Sequence, residues 1–168
     1  MTNSNISGTY AAVKFNTDTN KAIHRYVHDN KLPNAVRPDQ LHTTLIFSRT
    51  HMPAFVAVGK LSSAIRGVPT QLDVWNSAGG ERCLVLRYRC DALIERHNEL
   101  MIAHNGTYDF AEYIPHITLS YDIGSMDISQ LLNIHEYLND IVIVEEYGED
   151  LKLDWNTAVV TINKGKKV

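Results

Sequence analysis

His42-Thr43-Thr44-Leu45 and His116-Ile117-Thr118-Leu119 repeat one spacing, a histidine followed at +2 by threonine and at +3 by leucine. Imidazole has an ordinary pKa of about 6.5, so near neutral pH one copy can accept a proton while another donates one. A hydroxyl beside each can donate to an oxygen on which negative charge builds. Two copies therefore supply a base, an acid and two hydroxyl donors around a single phosphate. With eight histidines in the chain, two such hits arise by chance on the order of once in a thousand. One copy alone would read as an ordinary strand histidine; the pair reads as a site.

The stretches around the motifs have the character of β-strands, Leu41 to Phe47 and Tyr113 to Tyr121. Side chains alternate along a strand, so His42 and Thr44 share one face, as do His116 and Thr118, while Thr43, Leu45, Ile117 and Leu119 form the packing face. Each strand closes a repeated unit. Gly8 to Phe15 alternates as a strand with Thr9, Ala11, Val13 and Phe15 on its packing face. Asn16 to Thr19 supplies turn and cap chemistry, and Asn20 to Lys31 reads as a helix with Ile23 and Val27 inward. A loop bracketed by Pro33 and Pro38 leads to the first histidine. The second half repeats the order: strand Arg82 to Arg89, a helix capped by Asp91 and running to about Ala103, a loop, then the second histidine. The inner face of that helix is expected to carry Leu93, Ile94, His97, Leu100 and Met101.

Other elements fill out the sheet. Thr70 to Trp75 and Cys83 to Tyr88 are expected to form a hairpin around Asn76 to Gly80. Pro53 to Ile65 is mixed, with helical character at its end. Ile141 to Glu146 and Leu151 to Trp155 read as strands separated by a turn at Tyr147-Gly148-Glu149-Asp150, followed by Ala158 to Ile162. Asp127 to His135 reads as a helix.

Composition narrows the partners. At 168 residues, 44% hydrophobic and 21% charged, the chain can bury a real core. A net charge of −3 argues against tracking a long nucleic acid by phosphate neutralisation, so a nucleic substrate should be small and gripped locally. No apolar run approaches the ~20 residues that span a bilayer, and Met1-Thr2-Asn3-Ser4-Asn5 is not a signal peptide; a cytoplasmic protein without a membrane partner is expected. Cys83 and Cys90 flank one strand on opposite faces, roughly 23 Å apart if extended, and cannot pair within it. His24 and His28 lie one helical turn apart, but without a third ligand beside them they read as a solvated face. No metal, no cofactor and no obligate protein partner is inferred.

A duplicated strand–helix–strand unit with His-x-Thr in each half resembles the two-histidine (2H) phosphoesterase superfamily, which includes 2′-5′ RNA ligase-like proteins and cyclic phosphodiesterases. More narrowly, Gly8 to Phe15 and Tyr113 to Tyr121 resemble the phage anti-CBASS nucleases, small 2H enzymes that destroy the cyclic oligonucleotide messengers of bacterial antiphage signalling. The resemblance implies an α+β, two-lobed 2H phosphoesterase fold, with duplicated strand–helix–strand units and mainly antiparallel sheets around a central cleft. Residues 1–168 would then be one domain of two pseudo-symmetric lobes. It implies a metal-independent phosphodiesterase that cleaves 3′-5′ bonds of cyclic di- or trinucleotides in the host-cell cytoplasm, with His42, Thr44, His116 and Thr118 catalytic. One histidine would deprotonate a ribose 2′-hydroxyl, the other would protonate the departing 5′-oxygen, and the threonines would hold the non-bridging oxygens.

Substrate-binding candidates follow from strand faces. Tyr10 lies opposite the packing face of its strand, where its ring could stack on a base or its hydroxyl could reach a phosphate. Lys14 on that face, and Arg87 and Arg89 in the second half, face either the cleft or solvent. Trp75, ahead of a Gly-rich turn, suits a base-stacking lid or a rim tryptophan, and Trp155 has the same two readings. By the resemblance, Glu145 or Glu146 would read the edge of a purine, against a solvated strand end. Ser120 shares the Thr118 face. Two other functions keep the same motifs in view: an RNA-end enzyme acting on 2′,3′-cyclic phosphates or 2′-5′ linkages, and a nucleotide-sequestering protein without chemistry.

Overall fold

The structure is a computed structural model, and it describes residues 7–153 and 160–162. Its elements are β1 (Ser7–Phe15), α1 (Thr17–Asp29), β2 (Thr43–Ser48), β3 (Gly59–Asn76), β4 (Arg82–Arg89), α2 (Asp91–Ile102), β5 (His116–Ser120), β6 (Ile141–Leu153) and β7 (Val160–Ile162). The strands run in the order β2-β1-β6-β3-β4-β5, with β7 paired to the end of β6, and every pairing is antiparallel. Each unit keeps the expected order, strand, helix, loop, histidine strand. Each histidine strand lies beside the first strand of its own unit, β2 against β1 and β5 against β4. The two motifs therefore occupy the two ends of the sheet path.

Helix α1 begins earlier than the periodicity suggests, because the Asn16 side chain accepts from the Thr19 N–H at 2.9 Å and caps it there. Its stripe of Ile23, Tyr26 and Val27 is buried. In α2 Asp91 is the first helical residue, at the positive end of the helix, and Cys90 stands at the cap. Leu93, His97 and Leu100 face inward, but Ile94 does not and lies exposed. Both stripes pack on the core formed by Ala11, Val13, Leu45, Leu86, Ile117, Leu119 and Ile143. The intervening motif residues Thr43, Leu45, Ile117 and Leu119 are fully buried, while His42, Thr44, His116 and Thr118 are half-buried, as strand alternation requires.

Three expectations about the sheet are corrected. The end of Pro53 to Ile65 is not helical: from Gly59 it is the start of β3, which pairs with β6 up to Gly67 and then with β4 from Val68 onward. Tertiary pairing overrides a weak local preference. Tyr147 to Asp150 is not a turn but the middle of β6, paired residue for residue with β1. Gly148 serves close approach there, since a Cβ would lie 2.8 Å from the Phe55 ring. Asp127 to His135 forms two single 3-10 turns, Ile128–Gln130 and Ile134–Glu136, each started by an Asp127 or Asn133 side chain that accepts a backbone N–H two residues on. Among the described residues no helix is long and apolar enough to cross a membrane.

Candidate active site

The two histidines are held in the same way. His42 Nδ1 lies 2.8 Å from the Gln40 carbonyl oxygen, and His116 Nδ1 lies 2.8 Å from the Ile114 carbonyl oxygen. A carbonyl only accepts, so in each ring Nδ1 carries the proton and donates it. That bond sets both tautomers and both ring orientations, and makes Nε2, on the far side of the ring, the nitrogen for proton exchange. The rings sense one another: His42, Arg87 and above all burial hold the His116 pKa below the ordinary imidazole value. His116 is accordingly neutral at pH 7.

Trp75 stands against His116, ring centroids 4.4 Å apart and tilted by 58°. Its Nε1–H donates to Asp73 Oδ2 at 2.9 Å, and the same oxygen lies 3.5 Å from Arg87 Nη1. Arg87 is the register partner of His116, so tryptophan, arginine and histidine line one wall. Asp73, which fixes the other two, has no motif of its own in the sequence; its two-residue offset from Trp75 on one strand face is the signal that could have found it.

On the opposite wall Tyr10 turns toward the histidine side as expected, but it is fully buried and cannot offer its ring face to a base. Its hydroxyl is instead 2.9 Å from Thr44 Oγ1, and its ring meets His42, Phe47 and Tyr147 edge-on. Glu146 is also corrected. It lies on the packing side, buried, where both its oxygens accept from Arg96 of α2 at 2.8 and 2.9 Å and one accepts from the Val58 N–H. Glu145 pairs across from Lys14, and Tyr147 and Glu149 pair across from Ala12 and Tyr10. All three sit on the Tyr10 face. Tyr147 and Glu149 went unseen because their segment reads as a turn. Lys14 stands over the Tyr147 ring at 5.3 Å. Ser120 is buried and donates to the Pro33 carbonyl at 2.6 Å, fastening the loop before the first motif rather than facing the site. Trp155 lies outside the described residues. His24 and His28 are exposed, and among the described residues no group of three or more His, Cys, Asp or Glu could hold a metal ion.

Beneath the first motif, His97 of α2 stacks on Tyr113 at 4.2 Å with the planes 8° apart. Its Nδ1–H donates to the Leu45 carbonyl at 2.6 Å. Burial lowers its pKa, as it does for His116. Both rings stay neutral in the fold to lower pH than in the unfolded chain, so below a pH of about 6.5 the unfolded chain binds more protons. Their contribution is complete above that value and is lost as pH falls through the folded pKa values. Melting curves from pH 7.5 to 5.5 should show Tm falling, with a shallower slope for His97→Asn. An equal slope in the variant would exclude His97 as a source.

The arrangement has relatives. The chain matches the crystal structure of Escherichia coli LigT in apo form with a TM-score of 0.53 at 17% identity, covering 94% of this chain and 95% of that one. It matches a crystal structure described as a phosphoesterase with a TM-score of 0.56 at 14% identity, over 96% and 98%. At those identities the likeness is one of fold, and the fold is the α+β 2H phosphoesterase fold, with its antiparallel sheet. Relatives described as anti-CBASS protein Acb1 are 36% identical over 149 residues in Salmonella phage S16 (89% of this chain, 91% of the relative) and 38% over 148 residues in Yersinia phage phiR1-RT (88% and 91%). Another, in Enterobacteria phage T4, is 35% identical over 149 residues (89% and 91%). The model of the family described as anti-CBASS protein Acb1 matches residues 7–158, a span that carries both histidine motifs and every strand that positions them, and the chain belongs to that family.

Proposed function

We propose that this protein is a metal-independent phosphodiesterase that opens 3′-5′ bonds of cyclic oligonucleotide messengers in the host-cell cytoplasm and so blocks CBASS antiphage signalling. The observation that carries the reading is the matched pair of imidazoles, each with Nδ1 tied to the carbonyl two residues earlier at 2.8 Å. Sequestration of a nucleotide needs no such pair; proton transfer in two directions does. His116, neutral at pH 7, suits the base that takes the proton of the ribose 2′-hydroxyl. The 2′-oxygen then bonds to phosphorus, the bond from phosphorus to the 5′-oxygen breaks, and His42, as the general acid, supplies the leaving oxygen with its proton. Thr44 and Thr118 donate to the non-bridging oxygens. The Tyr10 hydroxyl, 2.9 Å from Thr44, orients that donor. The product is a ring-opened chain ending in a 2′,3′-cyclic phosphate and a 5′-hydroxyl.

Trp75 is the base platform in this reading, supported by its place against His116 and its tie to Asp73. Stacking on an aromatic ring contributes about 1–3 kcal/mol per base. Trp75→Leu should therefore raise KM for a cyclic dinucleotide by about ten- to a hundredfold in steady-state assays; an unchanged KM would place the base elsewhere. Glu145, on the Tyr10 face, is the acidic residue available to read a purine amine.

The deciding experiment incubates the protein, with and without excess EDTA, with a panel of cyclic di- and trinucleotides, 2′,3′-cyclic mononucleotides and 2′-5′ oligomers, with products read by mass spectrometry. Opening of cyclic oligonucleotides in EDTA is expected. Cleavage confined to 2′,3′-cyclic phosphates or 2′-5′ linkages would make it an RNA-end enzyme. Tight binding with no product would make it a sequestering protein, and loss in EDTA restored by one divalent ion would reveal a metal requirement.

A further inference from the structure

His42 immediately precedes β2 and His116 begins β5, the two ends of a path with four strands between them. Each neighbouring pair of strands is rotated by roughly 20–25°, with wide variation, so the separation of the path's ends is the distance the sheet itself determines least. Among the described residues no backbone hydrogen bond joins β2 to β5. Backbone bonds tie the loop ahead of β2 to β5 and the residue after it, from the Val36 N–H to the Leu119 carbonyl and from the Tyr121 N–H to the Asn34 carbonyl, but beside the motifs themselves two hydroxyls make the tie, in opposite directions. Thr43 Oγ1 donates to the His116 carbonyl at 2.8 Å, and Tyr113 donates to the Thr44 carbonyl at 2.7 Å.

The Thr43 bond is built from behind. Tyr88, buried on β4, donates its phenol proton to Thr43 Oγ1 at 2.7 Å. Thr43 Oγ1, already accepting there, has its own proton directed to the His116 carbonyl. Tyr88 holds its place because residue 67 is glycine: a Cβ there would lie 2.5 Å from the Tyr88 ring. Thr43 is completely buried and lies between His42 and Thr44, facing away from any substrate. It touches no reacting atom, yet it ties the backbone of one histidine residue to the strand that carries the other.

We propose that Thr43, oriented by Tyr88, is a positioning residue that sets the spacing of His42 and His116 across the reacting phosphate. This rests on the phosphodiesterase reading above. An acid and a base that work on one phosphorus are sensitive to their separation, and a 1 Å misplacement can cost about a hundredfold. Loosening this tie should lower kcat, because the rings still bind the substrate's phosphate but no longer reach both oxygens together.

The test uses Thr43→Val, Thr43→Ser and the double variant Thr43→Val/Tyr88→Phe. Thr43→Val keeps the shape but leaves the Tyr88 hydroxyl and the His116 carbonyl buried without this partner, so Tm falls along with activity. Adding Tyr88→Phe removes the stranded hydroxyl and should recover part of the Tm. In the folded proteins, Thr43→Val and the double variant should both show kcat down about ten- to a hundredfold with KM within about threefold, and Thr43→Ser should restore kcat. A purely structural threonine gives a different pattern: kcat near wild type in folded Thr43→Val, or kcat returning with Tm in the double variant. Either result overturns the proposal. A second readout needs no substrate. NMR titration of the imidazoles should show His116 moving up toward the ordinary histidine range in Thr43→Val, as His42 draws away and water enters. Unchanged titrations would overturn the proposal as well. If wild type cleaves nothing in the panel, the functional reading fails while the titration still decides whether Thr43 spaces the rings.

Discussion

Replacing either His42 or His116 by alanine should lower kcat for a cyclic dinucleotide by ~10²–10⁴-fold, the usual cost of losing a positioned general acid or base. Both rings are half-buried on the side of their strands away from the core, and each has Nδ1 tied to the carbonyl two residues earlier in the chain. Removal therefore leaves the packing face intact, and circular dichroism and melting curves should stay close to wild type. The double variant should be little worse than either single one, because the two groups act on the same transition state. Thr44→Val and Thr118→Val should cost less, on the order of 10²-fold each, as loss of one donor to a developing charge typically does. A well-folded His→Ala variant with near-wild-type turnover would rule out paired acid–base catalysis at this site.

A cyclic dinucleotide with 2′-deoxyribose at the reacting sugar should bind yet resist cleavage by at least several orders of magnitude. The attacking group in the proposed reaction belongs to the substrate, held beside the phosphorus, and effective molarities of such intramolecular reactions reach ~10⁵ M or more. The motifs offer no rival. Neither motif contains a cysteine or a carboxylate, and Thr44 is engaged by Tyr10 at 2.9 Å, better placed to donate than to attack. With the ribose substrate, mass spectrometry at early times should show a product lighter than the hydrolysed chain by one water. Fast opening of the deoxy analogue would mean that the histidines activate water directly, and would turn the assignment toward simple hydrolysis on the same scaffold.

Much of the site is legible in the chain because its chemistry is local. The His-x-Thr spacing puts imidazole and hydroxyl on one strand face whatever the partners are, and the order strand, helix, loop, histidine strand appears in both halves. The Nδ1 anchors are local too, each spanning two residues. Substrate-side residues are harder to read. Tyr10 lies on the expected face, but only the packing of Phe47, Tyr147 and Leu151 around it shows that it is buried and serves Thr44. Glu145 and Glu146 are adjacent in sequence and point to opposite faces. One meets the histidine side and the other an arginine on the packing side.

What the sequence by itself determined is therefore the pair of motifs, the faces on which they stand and the repeated unit that carries each. What only the tertiary structure decided is which distant residues meet them. A period of two is a property of the strand alone, but register is a property of the pair. The irregularities at Lys14/Phe15 and Lys60/Ile65 interrupt simple counting along β6. A glycine at 148 that looks like a turn is instead the place where a phenylalanine ring crosses a continuous strand. The approach of β2 to β5 likewise depends on the accumulated twist of every strand between them. The Thr43 hydroxyl that joins the two histidine strands acts across a gap that no local pattern records, since its partner lies 73 residues further along the chain.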